Sequence, residues 1–197
     1  MENKPTEKHV YYGKGDVFAY RTYAKPLSGI TEIPESMFKG RHNIIFGTNV
    51  KVKIGGKAFI PSFTEGDNSL VVATDSMKNF IQRHLASYEG STLEGFANYV
   101  SEAFLKKYPQ IDYVSILAED IPFDVMPEFS ESSLKASNLV FRKSRNERAR
   151  SSLEMVRTEG GVEITEQSSS ILDLQLIKVS GNSFVGFVRD EYTTLPE

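Results

Sequence analysis

TDSMKNFIQRHLASYEGSTLEGFANYVSEAFLKKYP, residues 74–109, reads as two helices in immediate succession. Met77, Phe80, Ile81, Leu85 and Tyr88 recur at the three- and four-residue spacing of one helix face until Gly90 ends the run, so the pattern predicts a helix over about 76–89 with Thr74 or Asp75 as its N-cap. Ser91 and Glu94 then have the spacing of a capping box, and Leu93, Phe96, Ala97, Val100, Phe104 and Tyr108 form a second apolar stripe closed by Pro109. A connection of two or three residues forces such helices to lie antiparallel.

Strands flank the pair on both sides. After the Gly13-Lys14-Gly15 interruption, residues 10–22 alternate, with Val17, Ala19 and Arg21 on one face and Phe18, Tyr20 and Thr22 on the other. Residues 23–40 carry Pro26, Gly29 and Pro34 and read as a connecting loop. Residues 44–54 and 57–63 read as two extended runs around Gly55-Gly56, a tight turn or a bulge. Beyond the helices, residues 113–123 alternate, 127–138 read as polar loop, and 139–157, 162–167 and 171–179 read as strands, with Gly160-Gly161 turning between the first two. Strands, two helices, strands: the class is α+β, an antiparallel sheet carrying the helix pair on one face.

The composition narrows function by exclusion. Thirteen Phe and nine Tyr in 197 residues are ample for a packed core, while a net charge of −3 gives no global attraction to nucleic acid or anionic membranes. A small molecule or another protein is the expected partner. The chain has no cysteine, which removes disulfides and thiolate chemistry, and it lacks an apolar run of membrane-spanning length. With the polar start MENKPTEKH, which lacks a signal-peptide core, a cytoplasmic location is expected, residues 1–9 forming a flexible extension. His9, His42 and His84 have no metal-like spacing. The basic run FRKSRNERAR, residues 141–150, reads as a solvated strand face or a subunit contact.

Two short patterns stay open on the residues alone. YGKGDV, residues 12–17, lacks the spacing of a phosphate loop and opens a strand; its glycines mark a bulge, or hold Lys14 near a ligand. Thr74-Asp75-Ser76, at a strand-to-helix junction, is either a helix cap or a hydroxyl placed for chemistry.

YGKGDV, DNSLVVATDSMKN (67–79) and SGNSFVGFVRDEYTTL (180–195), in that order, resemble the motifs of urate oxidase, or uricase, in its bacterial form. The resemblance runs through essentially the whole chain. It implies the tunnelling fold, an antiparallel sheet with two helices on one face, present once over residues 10–197 where a urate oxidase subunit holds two. It also implies the activity: urate is oxidised by dioxygen to 5-hydroxyisourate and hydrogen peroxide, with neither metal nor organic cofactor, in a cytoplasmic homotetramer whose sites are shared between subunits.

By that resemblance Lys14 and Thr74 form a proton relay, Phe184 stacks on the urate ring, and Thr74 and Asp75 serve the site of a neighbouring subunit. Asp75 offers its backbone N–H to the substrate at a helix start, where open amides and the helix dipole favour an anion. Such a relay needs the ammonium partly buried beside the hydroxyl, since removal from water is what lets a lysine take up a proton near neutral pH. The family's substrate-clamping arginine falls a few residues beyond residue 197, and its glutamine, asparagine and histidine fall in the second domain. The expectation is therefore half a site, in a truncated frame, an engineered fragment or one part of a split enzyme. The zinc-dependent pterin and GTP-cyclising enzymes of the same fold need a histidine or cysteine cluster that this chain does not spell out. A non-catalytic module that associates or binds a purine weakly is the alternative.

Overall fold

The computed structural model describes residues 9–34, 36–130, 133–177, 179 and 185–194. The expected amino-terminal extension thus lies almost wholly outside the described residues. Strands β1 (Tyr11–Thr22), β2 (Ile45–Gly55), β3 (Tyr113–Asp120), β6 (Arg148–Thr158) and β7 (Gly161–Leu172) form one antiparallel sheet in the order β1-β2-β3-β6-β7. Strands β4 (Phe123–Ser130) and β5 (Ser133–Lys143) form a separate antiparallel pair.

Alternation sorts the large sheet into two faces. Phe46, Val50, Val52 and Ile54 of β2, Val114, Ile116 and Ala118 of β3, and Leu153 and Met155 of β6 are buried on one of them. Against that face lie α2 (Thr74–Ser87), through Met77, Ile81 and Leu85, and α3 (Leu93–Lys107), through Leu93, Phe96, Ala97, Val100 and Phe104. Burial of each such side chain contributes about 1.5–3 kcal/mol, so this one layer holds the fold. Ring contacts report the direction of the helices: Phe80 meets Phe104 at 4.2 Å and Tyr88 meets Phe96 at 5.4 Å, so late residues of α2 face early residues of α3. The pair is antiparallel, as expected from the sequence. Its turn is five residues long and is filled by Tyr88, whose hydroxyl donates to the Thr92 carbonyl at 3.1 Å. A Cβ on Gly95 would stand 2.3 Å from that hydroxyl, which explains the glycine in the first turn of α3.

An arginine from the sheet meets each helix C-terminus. Arg21 of β1 donates to the Tyr88 carbonyl, and Arg157 of β6 donates to the carbonyls of Leu105 and, at 3.2 Å through Nε, Ile111. Cations there satisfy carbonyls left over by the helix and oppose its negative end.

The structure corrects several local expectations. Residues 57–63 are helical, a 3-10 turn at Lys57–Phe59 running into α1 (Ile60–Thr64), so Gly55-Gly56 ends a strand where a hairpin was expected; Pro61, in the first turn of α1, is the helix signal within that run. Residues 127–138, expected as loop, lie largely in β4 and β5. The single strand expected over 139–157 is two strands interrupted at 144–147, and 162–172 is one continuous strand. Helix α2 starts at Thr74 with Ala73 as N-cap, and α3 is capped by Thr92 where Ser91 was expected.

Candidate active site

Strand β1 carries Lys14, and its register shows which way that residue faces. Tyr12 pairs with Ile54 and Lys14 with Val52, then Val17 pairs with Val50. Gly15 and Asp16 therefore stand together opposite the single Lys51, a bulge, with Asp16 in the left-handed region at φ 54°. Before the bulge the even residues share the helix-bearing face of the sheet; after it the odd ones do. Lys14 consequently stands on the same face as the buried Val17 and Ala19, which uninterrupted alternation would forbid. Gly13 belongs to this device: a Cβ there would meet the Val52 carbonyl oxygen at 1.9 Å, so only glycine lets β1 run this close to β2.

Tyr12 ties this end of β1 to the start of α2. Its hydroxyl accepts from the Val72 N–H at 2.7 Å and donates to the Val72 carbonyl at 3.2 Å, while its ring meets Phe59 edge-on at 5.2 Å. Burial pushes the Tyr12 phenol above its ordinary range, so it stays a neutral donor and acceptor. Lys14 and Thr74 each lie two residues from this clamp, within a backbone reach of about 7 Å of it. The clamp thus fixes the strand that carries Lys14 against the segment that leads into Thr74. Both side chains are exposed, and neither makes a hydrogen bond or ion pair with another described residue. The partial burial expected for Lys14 is not supplied by the described chain.

Thr74-Asp75-Ser76 does not cap α2. Ala73 occupies the cap position, at φ −59° and ψ 139°, and offers no side-chain acceptor; the first helical hydrogen bond runs from the Met77 N–H to the Ala73 carbonyl at 3.1 Å. Among the described residues, the N–H groups of Thr74, Asp75 and Ser76 have no acceptor. The Asp75 carboxylate turns along the helix, accepting from Asn79 Nδ2 at 3.1 Å and facing Lys78 at 3.9 Å. Three open amides at a helix N-terminus, with the Thr74 hydroxyl among them, can receive a flat anion.

Thr74 shares a stripe with Lys78 and Gln82 at four-residue spacing, and Gln82 donates to the Phe18 carbonyl of β1 at 3.1 Å. The candidate site therefore opens over the edge of the sheet. Phe184 lies outside the described residues. The sequence reading missed Tyr12, since nothing in a local pattern announces a bond to a residue 60 positions away. Among the described residues, no three His, Cys, Asp or Glu side chains gather as a metal site, and no helix is long and apolar enough to cross a membrane.

A family model for uricase matches residues 12–149, a span that takes in Lys14, the Tyr12–Val72 clamp and both helices. The chain belongs to the uricase family. It is 64% identical over 186 residues to the uric acid degradation bifunctional protein PucL of Bacillus subtilis, with 94% of this chain and 38% of that protein aligned. It is 52% identical over 188 residues to a uricase of Haloferax volcanii, covering 94% and 61%. A crystal structure of a highly active mutant of Bacillus sp. TB-90 urate oxidase superposes with a TM-score of 0.81 at 63% identity, covering 95% of this chain and 64% of that one. A uricase from Bacillus fastidious gives 0.83 at 58%, covering 98% and 60%. The chain thus spans between about two fifths and two thirds of these uricase-family relatives, and its α+β architecture is theirs.

Proposed function

We propose that residues 10–197 are the first of two tunnelling-fold domains of a urate oxidase and supply one part of a shared active site. The observation that carries this reading is the uncapped start of α2, tied through Tyr12 to the strand that carries Lys14, in a chain of the uricase family. Urate, a flat purine anion, meets the open amide of Asp75 while Phe184 stacks on its ring, offset contact of this kind being worth about 0.5–1.5 kcal/mol beyond burial. Thr74 passes the substrate proton toward Lys14. Urate gives up two electrons to dioxygen, water adds to the oxidised purine, and 5-hydroxyisourate and hydrogen peroxide leave, without metal or organic cofactor.

A neighbouring subunit completes the site. Both long edge strands, β1 and β7, offer unpaired backbone groups, and the β4–β5 pair exposes Phe129, Leu134 and Leu139, a hairpin that needs packing to be stable. A covering subunit would also take Lys14 out of water. The assembly is read as a homotetramer in the cytoplasm.

The test is turnover by the 197-residue chain alone and with the carboxy-terminal part of a urate oxidase, fused or added separately. Loss of a bidentate arginine clamp costs on the order of 2–4 kcal/mol, so the chain alone should be nearly inactive, and urate consumption with peroxide release should return with the second part. Robust turnover by the chain alone would overturn the half-site reading. Assembly without turnover in either arm would leave the non-catalytic module standing.

A further inference from the structure

On the flank of α2 that faces away from Thr74, an open groove of about 660 Å³ runs between α2 and α3. Its floor is aromatic. Phe80 stacks on His84 with ring centroids 3.9 Å apart and lies 5.9 Å from Tyr108. Its rim is cationic: Arg83 comes from α2, and Lys106 and Lys107 come from the last turn of α3. No carboxylate lines it, and none of these three cations pairs with a carboxylate among the described residues. In a chain of net charge −3 this is a local reversal of sign. Ser76 and Asn79 add neutral polar groups at the end nearest the start of α2.

Packing explains the floor, since Phe80 and Tyr108 rest on Phe104, but it does not explain the rim. Two lysines in a last turn are ordinary company for a helix C-terminus, but Arg83 lies mid-helix on α2, across the groove from them. Solvated surface cations are usually interspersed with acids, whereas here three converge on an apolar floor. The volume lies in the range of small-molecule sites, about 300–1,000 Å³. Inorganic phosphate would satisfy the rim and leave the aromatic floor wet, and an uncharged ring would do the opposite. A ligand that meets both has a flat ring at one end and a dianion at the other.

We propose that the α2–α3 groove is a binding site for a nucleoside phosphate, the ring lying on the Phe80, His84 and Tyr108 surface and the phosphate held by Arg83, Lys106 and Lys107.

Titration calorimetry of the full chain with UMP tests it, a pyrimidine nucleotide being chosen so that a purine site is not read by accident. Saturable binding at one site per chain is expected, with uridine and inorganic phosphate each at least about tenfold weaker. Arg83→Gln and the double variant Lys106→Gln/Lys107→Gln should each weaken UMP by about tenfold or more, while Lys78→Gln, on the other flank of α2, should leave it unchanged. All of these are exposed positions, so folding is preserved, which thermal melting checks. The absence of saturable heat, uridine binding as tightly as UMP, or undiminished UMP binding by both groove variants would overturn the proposal.

Discussion

The two long helices of this chain end alike and begin differently. Each C-terminus is met by an arginine from the sheet, Arg21 for α2 and Arg157 for α3. At the N-termini, Thr92 caps α3 by accepting from the Gly95 N–H at 3.1 Å, whereas α2 begins on Ala73 with three amides open. Both helices rest on the same sheet, but only α2 is led in by a segment bonded to β1 through Tyr12 and Val72. A cap is worth about 1 kcal/mol, and α2 forgoes it at the turn that carries Thr74. The capped end is structure; the open end is read as function.

The largest effect expected is on turnover. In a full-length context, Lys14→Met or Thr74→Val should lower kcat by about 10²–10⁴-fold with much less change in KM, the range for loss of a positioned proton-transfer group. The double variant should cost little more than the worse single one. Single effects that multiply would show that the two residues act independently and would break the link between relay and open helix start.

Next in size is a stability effect at the ends that match. Arg157→Met should destabilise the fold by about 1.5–3 kcal/mol in urea unfolding, because it withdraws a charged donor from the carbonyls closing α3. A neutral result would mean that water replaces the arginine without penalty.

A pair of substitutions addresses the contrast directly. Thr92→Ala should cost about 1 kcal/mol, whereas Ala73→Ser should add up to about 1 kcal/mol by capping α2. The same Ala73→Ser change should slow urate turnover, because its hydroxyl competes for the amides that the anion needs. Gain in stability with undiminished kcat would remove the functional reading of the open end.

The smallest effect belongs to Asp75. Its carboxylate is exposed and points along the helix, so Asp75→Asn should change stability by only a few tenths of a kcal/mol and leave kcat nearly intact, the working group being its backbone N–H. A large loss of kcat would transfer the role to the side chain.

The helix pair was legible because its apolar spacing and its burial coincide: Met77, Ile81, Leu85, Phe96, Val100 and Phe104 are all on the core side. The alternation of Val17 and Ala19 was legible for the same reason. What escaped the sequence depends on distant partners. Ala73 takes the cap position in a segment whose Val72 is bonded to Tyr12, a contact invisible to any local rule that favours Thr or Asp. Pro127 and the polar residues around it argue against a strand, yet β4 finds its pairing in β5, with a register shift at the proline absorbing the missing donor. The side of the sheet on which Lys14 stands needed the bulge to be located, and YGKGDV alone says only that a bulge is there.

That bulge makes β1 a strand with two reading phases, even residues facing the helices before it and odd residues after it, joined by a single unpaired residue. Point substitutions leave the phases aligned; a one-codon deletion does not. Removing Asp16 would let Val17 and Ala19 keep their places in the core while turning Lys14 to the opposite side of the sheet. Tyr12 shares the parity of Lys14, so the same deletion would break its bonds to Val72 and its packing on Phe59, and selection on this strand should tolerate changes of letter far better than changes of length.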